Sequence, residues 1–210
     1  MHSPDIAFCS QCGHAVEHRI PSGENRLRAV CPACQTIHYQ NPRMVVGTLP
    51  IWQDKVLLCK RAIEPRYGYW TLPAGFMELA ETSAEGAARE TLEEAGAVVK
   101  LGPLFSLIDI PHAEQVHLFY LAEMTQAECT PGEETLEQRL FSEAEIPWAE
   151  LAFSSVRLTL EHYFATRQNL AANGSATTPS AAGCFTARIS SASSAPTSAV
   201  SSAPTTPSSY

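Results

Sequence analysis

Three glutamates stand at spacings that bring them onto one side of a helix: Glu90, Glu93 and Glu94. They occupy positions i, i+3 and i+4, and residues at these separations are neighbours on a helical surface. Two carboxylates about 6 Å apart repel by roughly 3 kcal/mol at an effective dielectric constant of about 20. Hard divalent cations bind clustered carboxylate oxygens and would offset this repulsion. The spacing therefore predicts a site for Mg²⁺ or Mn²⁺.

The helix that carries these glutamates is predicted from the residues at its ends. Thr82 or Ser83 is suited to the N-cap, and Gly96 is suited to the left-handed position that follows a helix. A narrow apolar stripe at helical spacing is predicted to face the core, formed by Ala84, Ala88, Leu92 and Ala95. The acidic residues would then occupy another face of the helix.

The stretch from Gly75 to Ala97 resembles the signature of the Nudix hydrolases. The matching positions are Gly75, Glu81, Arg89, Glu90, Glu93, Glu94 and Gly96. Thr91 departs from the signature, which usually has an aliphatic residue at this position; we expect Thr91 to lie on the buried side, where it removes no ligand. The alternative interpretation, an acidic helix that is merely solvated, requires all these spaced positions to coincide by chance.

The resemblance implies a hydrolase that cleaves a nucleoside diphosphate linked to another moiety, with Mg²⁺ or Mn²⁺ as cofactor and water as the attacking group. The implied metal ligands are Gly75, through a carbonyl near it, with Glu90, Glu93 and Glu94. Glu93 serves as a ligand or as the base. Arg89 and Glu81 are expected to orient the carboxylates, so that the catalytic set is Glu93, Glu90, Arg89 and Glu81.

Further candidates lie outside the helix. Related enzymes often bring one more carboxylate from a late loop, and Glu134 and Glu137 are the candidates here. The candidates for substrate contact are Arg61, Trp70 and Phe76. Arg61 would meet substrate phosphate, although a solvated charge is an equally good interpretation. Trp70 would stack on a base or an isoalloxazine ring, or else anchor its strand from the core.

Two Cys-x-x-Cys pairs precede this region: Cys9 with Cys12, and Cys31 with Cys34. Two such pairs can supply four thiolates to one tetrahedral zinc ion, and the segment resembles a zinc ribbon. The competing interpretation is a pair of disulfides, which suits an oxidising compartment. We expect zinc to be structural here, because the charged residues of the segment balance and offer no basic patch for nucleic acid.

Composition restricts the partners of the chain. Its 210 residues carry a formal net charge of −8, which argues against general nucleic-acid binding. No apolar run approaches the length of about 18 residues that a membrane span needs, and the N-terminal residues lack the features of a secretory signal. We therefore expect a cytoplasmic enzyme that acts on a small-molecule dinucleotide, without nucleic-acid or membrane partners. Family members are often dimers, so a homodimer is also expected.

The predicted fold class is α+β: a Nudix α/β/α sandwich with a mixed sheet, preceded by a small zinc ribbon and followed by a disordered tail. The predicted domains are the ribbon (1–40), the Nudix hydrolase domain (41–169) and the low-complexity tail (170–210). A hairpin is expected at Gln53-Asp54 and an amphipathic helix over Ser154 to Thr166. The tail is rich in Ser, Thr, Ala and Pro, and such a composition buries too little apolar surface to fold.

We call the signature stretch from Gly75 to Ala97 the box. The arrangement of a zinc ribbon before this box resembles that of two groups of enzymes. NADH pyrophosphatases carry a Ser-Gln-Pro-Trp-like motif after the box, but residues 98–122 contain neither adjacent Ser-Gln nor Trp. The other group resembles plant FAD pyrophosphatases, which also cleave ADP-ribose, and the Asn41-Pro42 junction and the run Gly-Phe-Met-Glu fit it. We expect hydrolysis of FAD or ADP-ribose. The alternatives are an NADH pyrophosphatase, a nucleoside-triphosphate cleaning enzyme, and a non-enzymatic ribbon that binds another macromolecule.

Overall fold

The computed structural model describes residues 6–172 and 183–190, which form a small N-terminal sheet and a larger mixed sheet that carries two helices. The strands are β1 (Glu17–Arg19), β2 (Arg28–Val30), β3 (Ile37–His38), β4 (Arg43–Trp52), β5 (Lys55–Arg61), β6 (Trp70–Thr71), β7 (Ala74–Phe76), β8 (Val99–Ile110), β9 (Gln115–Met124), β10 (Thr135–Phe141) and β11 (Phe185–Arg188). The helices are α1 (Ser83–Ala95) and α2 (Ser154–Ala172). The expected α+β class with a mixed sheet is confirmed.

The large sheet is organised around β4. Its strand order is β10-β5-β4-β9-β8-β11, with β6 added to β5 and β7 added to β4. β4 and β9 are parallel, whereas β4 pairs antiparallel with β5 through the hairpin predicted at Gln53-Asp54. The middle of β4 is buried on both faces, as expected for a strand between helical layers. Its neighbour β7 leads directly into the loop before α1.

α1 lies on β4 through a face that the sequence pattern did not indicate. The buried residues of the helix are Gly86, Ala87, Thr91, Glu94 and Ala95, whereas Leu92 of the predicted stripe is 53% exposed. Close approach explains the difference, because a Cβ at Gly86 would lie only 2.9 Å from Cγ2 of Val46. The predicted stripe is therefore wrong at Leu92 and only half-buried at Ala84 and Ala88, whereas the expected burial of Ala95 and Thr91 is confirmed.

α2 covers the opposite face of the sheet. It begins at the predicted Ser154 and extends beyond the expected end to Ala172. Val156, Leu160 and Phe164 are buried, as their spacing predicts, in one core cluster with residues of β4, β5, β8 and β9. Among the described residues, no helix is long and apolar enough to cross a membrane.

The C-terminal tail contains a strand that the sequence analysis did not predict. β11 pairs in parallel with β8, so that Phe185 lies opposite Ser106 and Arg188 opposite Asp109. The ring of Phe185 also stacks on His162 of α2, with centroids 4.4 Å apart. The expectation of disorder from residue 170 is therefore wrong for this segment and for the end of α2; residues 173–182 and 191–210 of the predicted tail lie outside the described residues.

Candidate functional site

The acidic helix is fixed at both ends by local hydrogen bonds. Thr82 is the N-cap, and it forms a reciprocal capping box with Glu85. Gly96 ends the helix with φ of 59°, and its N–H donates to the carbonyl of Leu92 at 2.8 Å. Both ends therefore match the sequence prediction, with Thr82 rather than Ser83 as the cap. The glutamates of the helix keep a fixed register relative to β7 as a result.

Gly75 lies directly beside the acidic face. It sits in β7, opposite Val46 of β4. A Cβ on Gly75 would clash with the carboxylate of Glu90, so only glycine lets this carboxylate approach the strand. The structure thus brings together Gly75 and Glu90. The use of a carbonyl near Gly75 as a metal ligand stays a prediction.

Arg89 connects the other carboxylates. Its Nε and Nη2 donate to the two carboxylate oxygens of Glu81 at 3.0 and 2.9 Å, and its Nη1 donates to Glu90 at 2.7 Å and Glu93 at 2.9 Å. Nη2 also reaches the carbonyl of Phe76 at 3.3 Å. Hydrogen bonds from Arg89 and from the N–H of Glu78 lower the pKa of Glu81 to about 2. Glu81 therefore anchors the guanidinium, and Arg89 in turn orients Glu90 and Glu93.

Glu94 differs from its neighbours because it is buried without a cationic partner. Only 9% of the residue is exposed, and its Oε2 accepts the N–H of Ala74 at 3.0 Å. Within the part of the chain that the structure describes, no ion pair engages Glu94, whereas Arg89 pairs with Glu81, Glu90 and Glu93. Burial raises the pKa of Glu94 to about 7, and the charge of Glu90 contributes to the rise.

The donor chemistry of this cluster fits a hard divalent cation. Glu90 and Glu94 are carboxylates on one helix face, and burial raises the pKa of both. A buried carboxylate without a counter-ion is stabilised when a cation binds it. Among the described residues, only the four N-terminal thiols form a group of three or more possible metal-ligand atoms that all lie within 4.8 Å of one another. The carboxylate oxygens of the glutamates do not all lie this close together. Their assignment as metal ligands stays a prediction.

The structure distinguishes the two candidates for the additional carboxylate. The charge of Glu134 raises the pKa of both Glu90 and Glu94, which means that Glu134 lies near the cluster. Its loop is held against α1, since the N–H of Gly132 donates to the carbonyl of Glu94 at 2.9 Å. Glu137 instead lies on β10, where its carboxylate is 3.8 Å from Nζ of Lys60. The geometry favours Glu134 over Glu137.

The three candidates for substrate contact have different surroundings. Arg61 ends β5, and its charge lowers the pKa of Glu94, so it lies beside the carboxylates. Phe76 is 47% exposed next to the cluster. Trp70 is only 6% exposed and packs edge-on against Phe141 at a centroid distance of 4.9 Å. Stacking of Trp70 on a ligand is therefore contradicted, because its ring serves the core.

Sequence reasoning missed Arg43, which lies beside this site. Its guanidinium carbon is 4.7 Å from the ring centroid of Phe76. No motif marks Arg43, and only the pairing of β4 with β7 brings it to Phe76. Together they form an exposed aromatic and cationic surface next to Glu90.

The four cysteines of the N-terminal segment meet at one point. Three pairs of sulfur atoms are 3.4 to 3.6 Å apart: Cys9 with Cys34, Cys12 with Cys31, and Cys12 with Cys34. Sulfurs around a tetrahedral zinc ion with Zn–S bonds of about 2.3 Å would be roughly 3.8 Å apart, so the four thiols fit zinc. All four are free thiols, which argues against the disulfide alternative.

The two cysteine turns have the same backbone design. In each, the first cysteine donates its N–H five residues ahead, from Cys9 to His14 and from Cys31 to Thr36. In each, the carbonyl of that cysteine accepts an N–H from a residue with positive φ, which is Gly13 in one turn and Gln35 in the other. This repeated turn aims both thiols of a pair at one centre.

Family models match most of the chain. A model described as "NUDIX domain" matches residues 41–161, and a zinc-ribbon model described as "Nudix N-terminal" matches residues 7–40. The crystal structure of a NUDIX hydrolase from Nitrosomonas europaea is 47% identical in sequence and has a TM-score of 0.79. The superposition covers 88% of this chain and 99% of that one.

Two curated relatives have more specific names. The NAD-capped RNA hydrolase NudC of Vibrio cholerae is 32% identical over 131 residues, which are 61% of this chain and 46% of the relative. An ADP-ribose pyrophosphatase of Methanocaldococcus jannaschii is 27% identical over 128 residues, which are 59% of this chain and 75% of the relative. The chain thus spans about half the length of the NudC relative that it matches.

Proposed function

Because the chain belongs to the Nudix hydrolase family, we propose that it is a metal-dependent pyrophosphatase that cleaves the diphosphate of FAD or ADP-ribose. The observation that carries the proposal is the cluster in which Arg89 holds Glu81, Glu90 and Glu93 beside the buried Glu94, which has no ion pair among the described residues. A diphosphate is densely negative and so is this face. Attraction between the two requires cations, and carboxylates are ligands that hard divalent cations prefer.

Glu90, Glu93 and Glu94 would hold the Mg²⁺, with Glu134 as the additional ligand from the loop. When bound, Mg²⁺ neutralises phosphate charge and activates water for in-line attack at phosphorus. Of the three glutamates that pair with Arg89, Glu93 is the most exposed, with 58% of its side chain accessible. That exposure supports a role for Glu93 as a ligand or as the group that accepts a proton from water.

The remaining residues of the site bind and orient. Arg89 fixes the carboxylates of Glu90 and Glu93, so that neither must be ordered when substrate arrives. Arg61 supplies a positive charge beside Glu94 for a phosphate oxygen. Phe76 offers an exposed ring on which a base or isoalloxazine can stack.

The preference for FAD or ADP-ribose has two supports. The ribbon, the Asn41-Pro42 junction and the run after Gly75 resemble the FAD pyrophosphatases, and the Methanocaldococcus jannaschii relative is named an ADP-ribose pyrophosphatase. ADP-ribose enzymes often have a proline about fifteen residues past the box, which is the place of Pro111. A second candidate substrate is an NAD-type dinucleotide or NAD-capped RNA, favoured by the Vibrio cholerae relative. The acidic net charge and the missing Ser-Gln-Pro-Trp-like motif favour the first candidate.

A substrate screen with product identification tests this proposal. The purified protein with Mg²⁺ is given FAD, ADP-ribose, NADH, NAD-capped RNA and deoxynucleoside triphosphates. We expect AMP with FMN, or AMP with ribose 5-phosphate, as the main products. A nucleoside monophosphate with pyrophosphate would contradict the choice of substrate, and cleavage of NADH or capped RNA alone would establish the second candidate.

Matched glutamine variants test the assigned residues. Glu93→Gln and Glu134→Gln are expected to reduce kcat/KM at least about tenfold, because each removes a charged ligand or base. Glu133→Gln is the control, since Glu133 is an exposed neighbour of Glu134 in the same loop. Unchanged Mg²⁺-dependent hydrolysis in Glu93→Gln would refute the role assigned to Glu93, whereas a parent protein that hydrolyses none of the substrates would favour the alternative of a non-enzymatic binding module.

A further inference from the structure

A cavity of about 380 Å³ lies at one end of the large sheet, apart from the carboxylate cluster. It is bounded by the Gln40–Pro42 segment before β4, by Asp109–Pro111 at the end of β8, and by the start of β9. Arg188 of β11 forms the remaining wall. Ligand cavities in proteins start at about 300 Å³, so the space is large enough for a small ligand group.

The cavity adjoins the site already described. Gln115, which lines the cavity, pairs with Arg43 across β4 and β9, and Arg43 lies over the ring of Phe76. Val116, another lining residue, packs in the same apolar cluster as Met77, which follows Phe76 in the box loop. A substrate with its diphosphate at the glutamates could therefore reach the cavity with one of its ends.

The residues that line the cavity favour one chemical class of ligand. Pro42 and Pro111 offer apolar surfaces, and Asn41 and Gln115 offer amides that donate and accept hydrogen bonds. Asp109, which lies opposite Arg188 in the sheet, adds a carboxylate to the lining and disfavours a phosphate there. Carboxylates accept hydrogen bonds from ribose hydroxyls and exocyclic amines, and a guanidinium stacks on a flat base. These features together suit a nucleoside.

β11 holds Arg188 at this cavity by contacts on both sides. Backbone pairing with β8 runs from Phe185 to Arg188, and the N–H of Ile189 donates to the carbonyl of Asp109 at 2.8 Å. Phe185 stacks on His162, which in turn packs on Phe105 with centroids 5.0 Å apart. Across the described ranges no ion pair engages Arg188, so its exposed guanidinium is available to a ligand.

We propose that β11 completes a cavity for the nucleoside half of the substrate and that Arg188 contacts the base there. This inference rests on the proposed function, since it assigns one end of the same dinucleotide. It makes the C-terminal strand, which lies beyond the residues matched by the Nudix domain model, part of substrate recognition. Arg188 is then a residue that determines specificity and takes no part in the chemical step.

Calorimetric titration of AMP into the full-length, zinc-loaded protein without Mg²⁺ tests the proposal without turnover. Arg188→Ala is expected to weaken AMP binding about tenfold, because it removes a charged hydrogen-bond donor. Phe185→Ala should weaken AMP binding similarly by undocking β11. Lys100→Ala is the charge-matched control, because Lys100 is exposed near the other end of β8, and it should leave the affinity for AMP within about twofold.

Ribose 5-phosphate distinguishes the nucleoside from the phosphate. Its affinity should be unchanged in Arg188→Ala, because it has no base to contact the guanidinium. Equal losses for ribose 5-phosphate and AMP would mean that Arg188 binds phosphate, and AMP affinity equal to that of the parent protein in both variants would also overturn the proposal. Arg188-dependent AMP binding in a protein that fails to hydrolyse FAD or ADP-ribose would refute the proposed function alone.

Discussion

The carboxylates of the cluster have two different environments in the fold. Some pair with Arg89, whereas that of Glu94 is buried and has no ion pair among the described residues. Arg89 distributes its donors among Glu81, Glu90 and Glu93, and its pKa is raised by the hydrogen bonds to Glu81 first of all. Glu94 receives only the N–H of Ala74 and keeps a raised pKa because it is buried. One part of the cluster is therefore compensated by Arg89, and the other has no ion pair among the described residues.

Arg89→Lys should lower activity although it retains the positive charge. A lysine ammonium is a point charge that cannot reproduce the planar fork between Glu81 and Glu90. We expect kcat/KM to fall and the Mg²⁺ concentration for half-maximal activity to rise, each by about 10-fold to 100-fold. Arg157→Lys, which changes a helix-surface pair with Glu161, is the control. If both variants responded to Mg²⁺ as the parent does, Arg89 would have no orienting role.

Glu94→Gln should stabilise the metal-free protein, and increasingly so as pH rises. The pKa of Glu94 is about 7 in the fold against 4.5 in the reference state, so the folded protein binds the proton more tightly. The stabilisation that the protonated Glu94 side chain gives to the folded protein is complete below pH 4.5 and is lost as pH rises through about 7. Relative to the variant, wild type should lose about 3 kcal/mol of unfolding free energy over this window.

Urea unfolding in EDTA between pH 4.5 and 8 measures this difference. Excess Mg²⁺ should reduce the advantage of Glu94→Gln, because only the wild-type carboxylate gains a bound cation. A difference that stayed constant with pH would show that the carboxylate of Glu94 titrates normally in the fold.

At the scale of elements, α1 docks on β4 through small residues and one shared pair of hydroxyls. The Oγ1 of Thr91 donates to the carbonyl of Ala87 at 2.7 Å and lies 2.6 Å from the Oγ1 of Thr48. Both threonines are fully buried. The departure from the Nudix signature at Thr91 is thus matched by a polar partner in the neighbouring strand. The helix keeps its position because both hydroxyls are satisfied.

Thr91→Val should lower the free energy of unfolding by more than the loss of the Thr91 hydroxyl alone would. It leaves the hydroxyl of Thr48 buried without a partner, which costs about 1 to 3 kcal/mol. The double variant Thr48→Val with Thr91→Val should recover part of this loss, since neither hydroxyl then remains. A double-mutant cycle by urea unfolding measures the coupling energy; additive effects of the two changes would contradict the proposed pairing.

At the scale of the molecule, the ribbon and the large sheet have separate sources of stability. The three core clusters of the described residues take their members from residues 46–164. In the ribbon, the buried side chains are few and include Cys9 and Cys31. Small segments of this kind usually depend on metal for folding. The ribbon should therefore fold with zinc, and the large sheet without it.

Cys12→Ser should abolish zinc binding and leave the main thermal unfolding transition within a few degrees of its original position, about 4 °C at most. The reason is that the core clusters contain none of the ribbon cysteines. Zinc content is measured by atomic absorption and unfolding by calorimetry, with Cys184→Ser as a control outside the cluster. Loss of the main transition in Cys12→Ser would mean that the two parts fold as one unit.

Short-range spacing determined most of the candidate site in advance. The acidic positions of α1, its caps, the two Cys-x-x-Cys turns and the hairpin at Gln53-Asp54 follow from residues close in sequence. Turns and helices convert such spacing directly into distance, because their geometry is set by local dihedral angles. For these features the three-dimensional arrangement added distances and hydrogen-bond partners without changing the assignment.

Tertiary packing decided what local spacing left open. It buried Trp70 and exposed Leu92, it brought Glu134 rather than Glu137 to the cluster, and it paired β11 with β8. Each outcome depends on which surfaces meet across the sheet, and residues distant in sequence make that choice. Burial and charge proximity are properties of the assembled core. The sequence could therefore indicate which residues cluster locally, whereas only the folded chain determines which distant residues surround them.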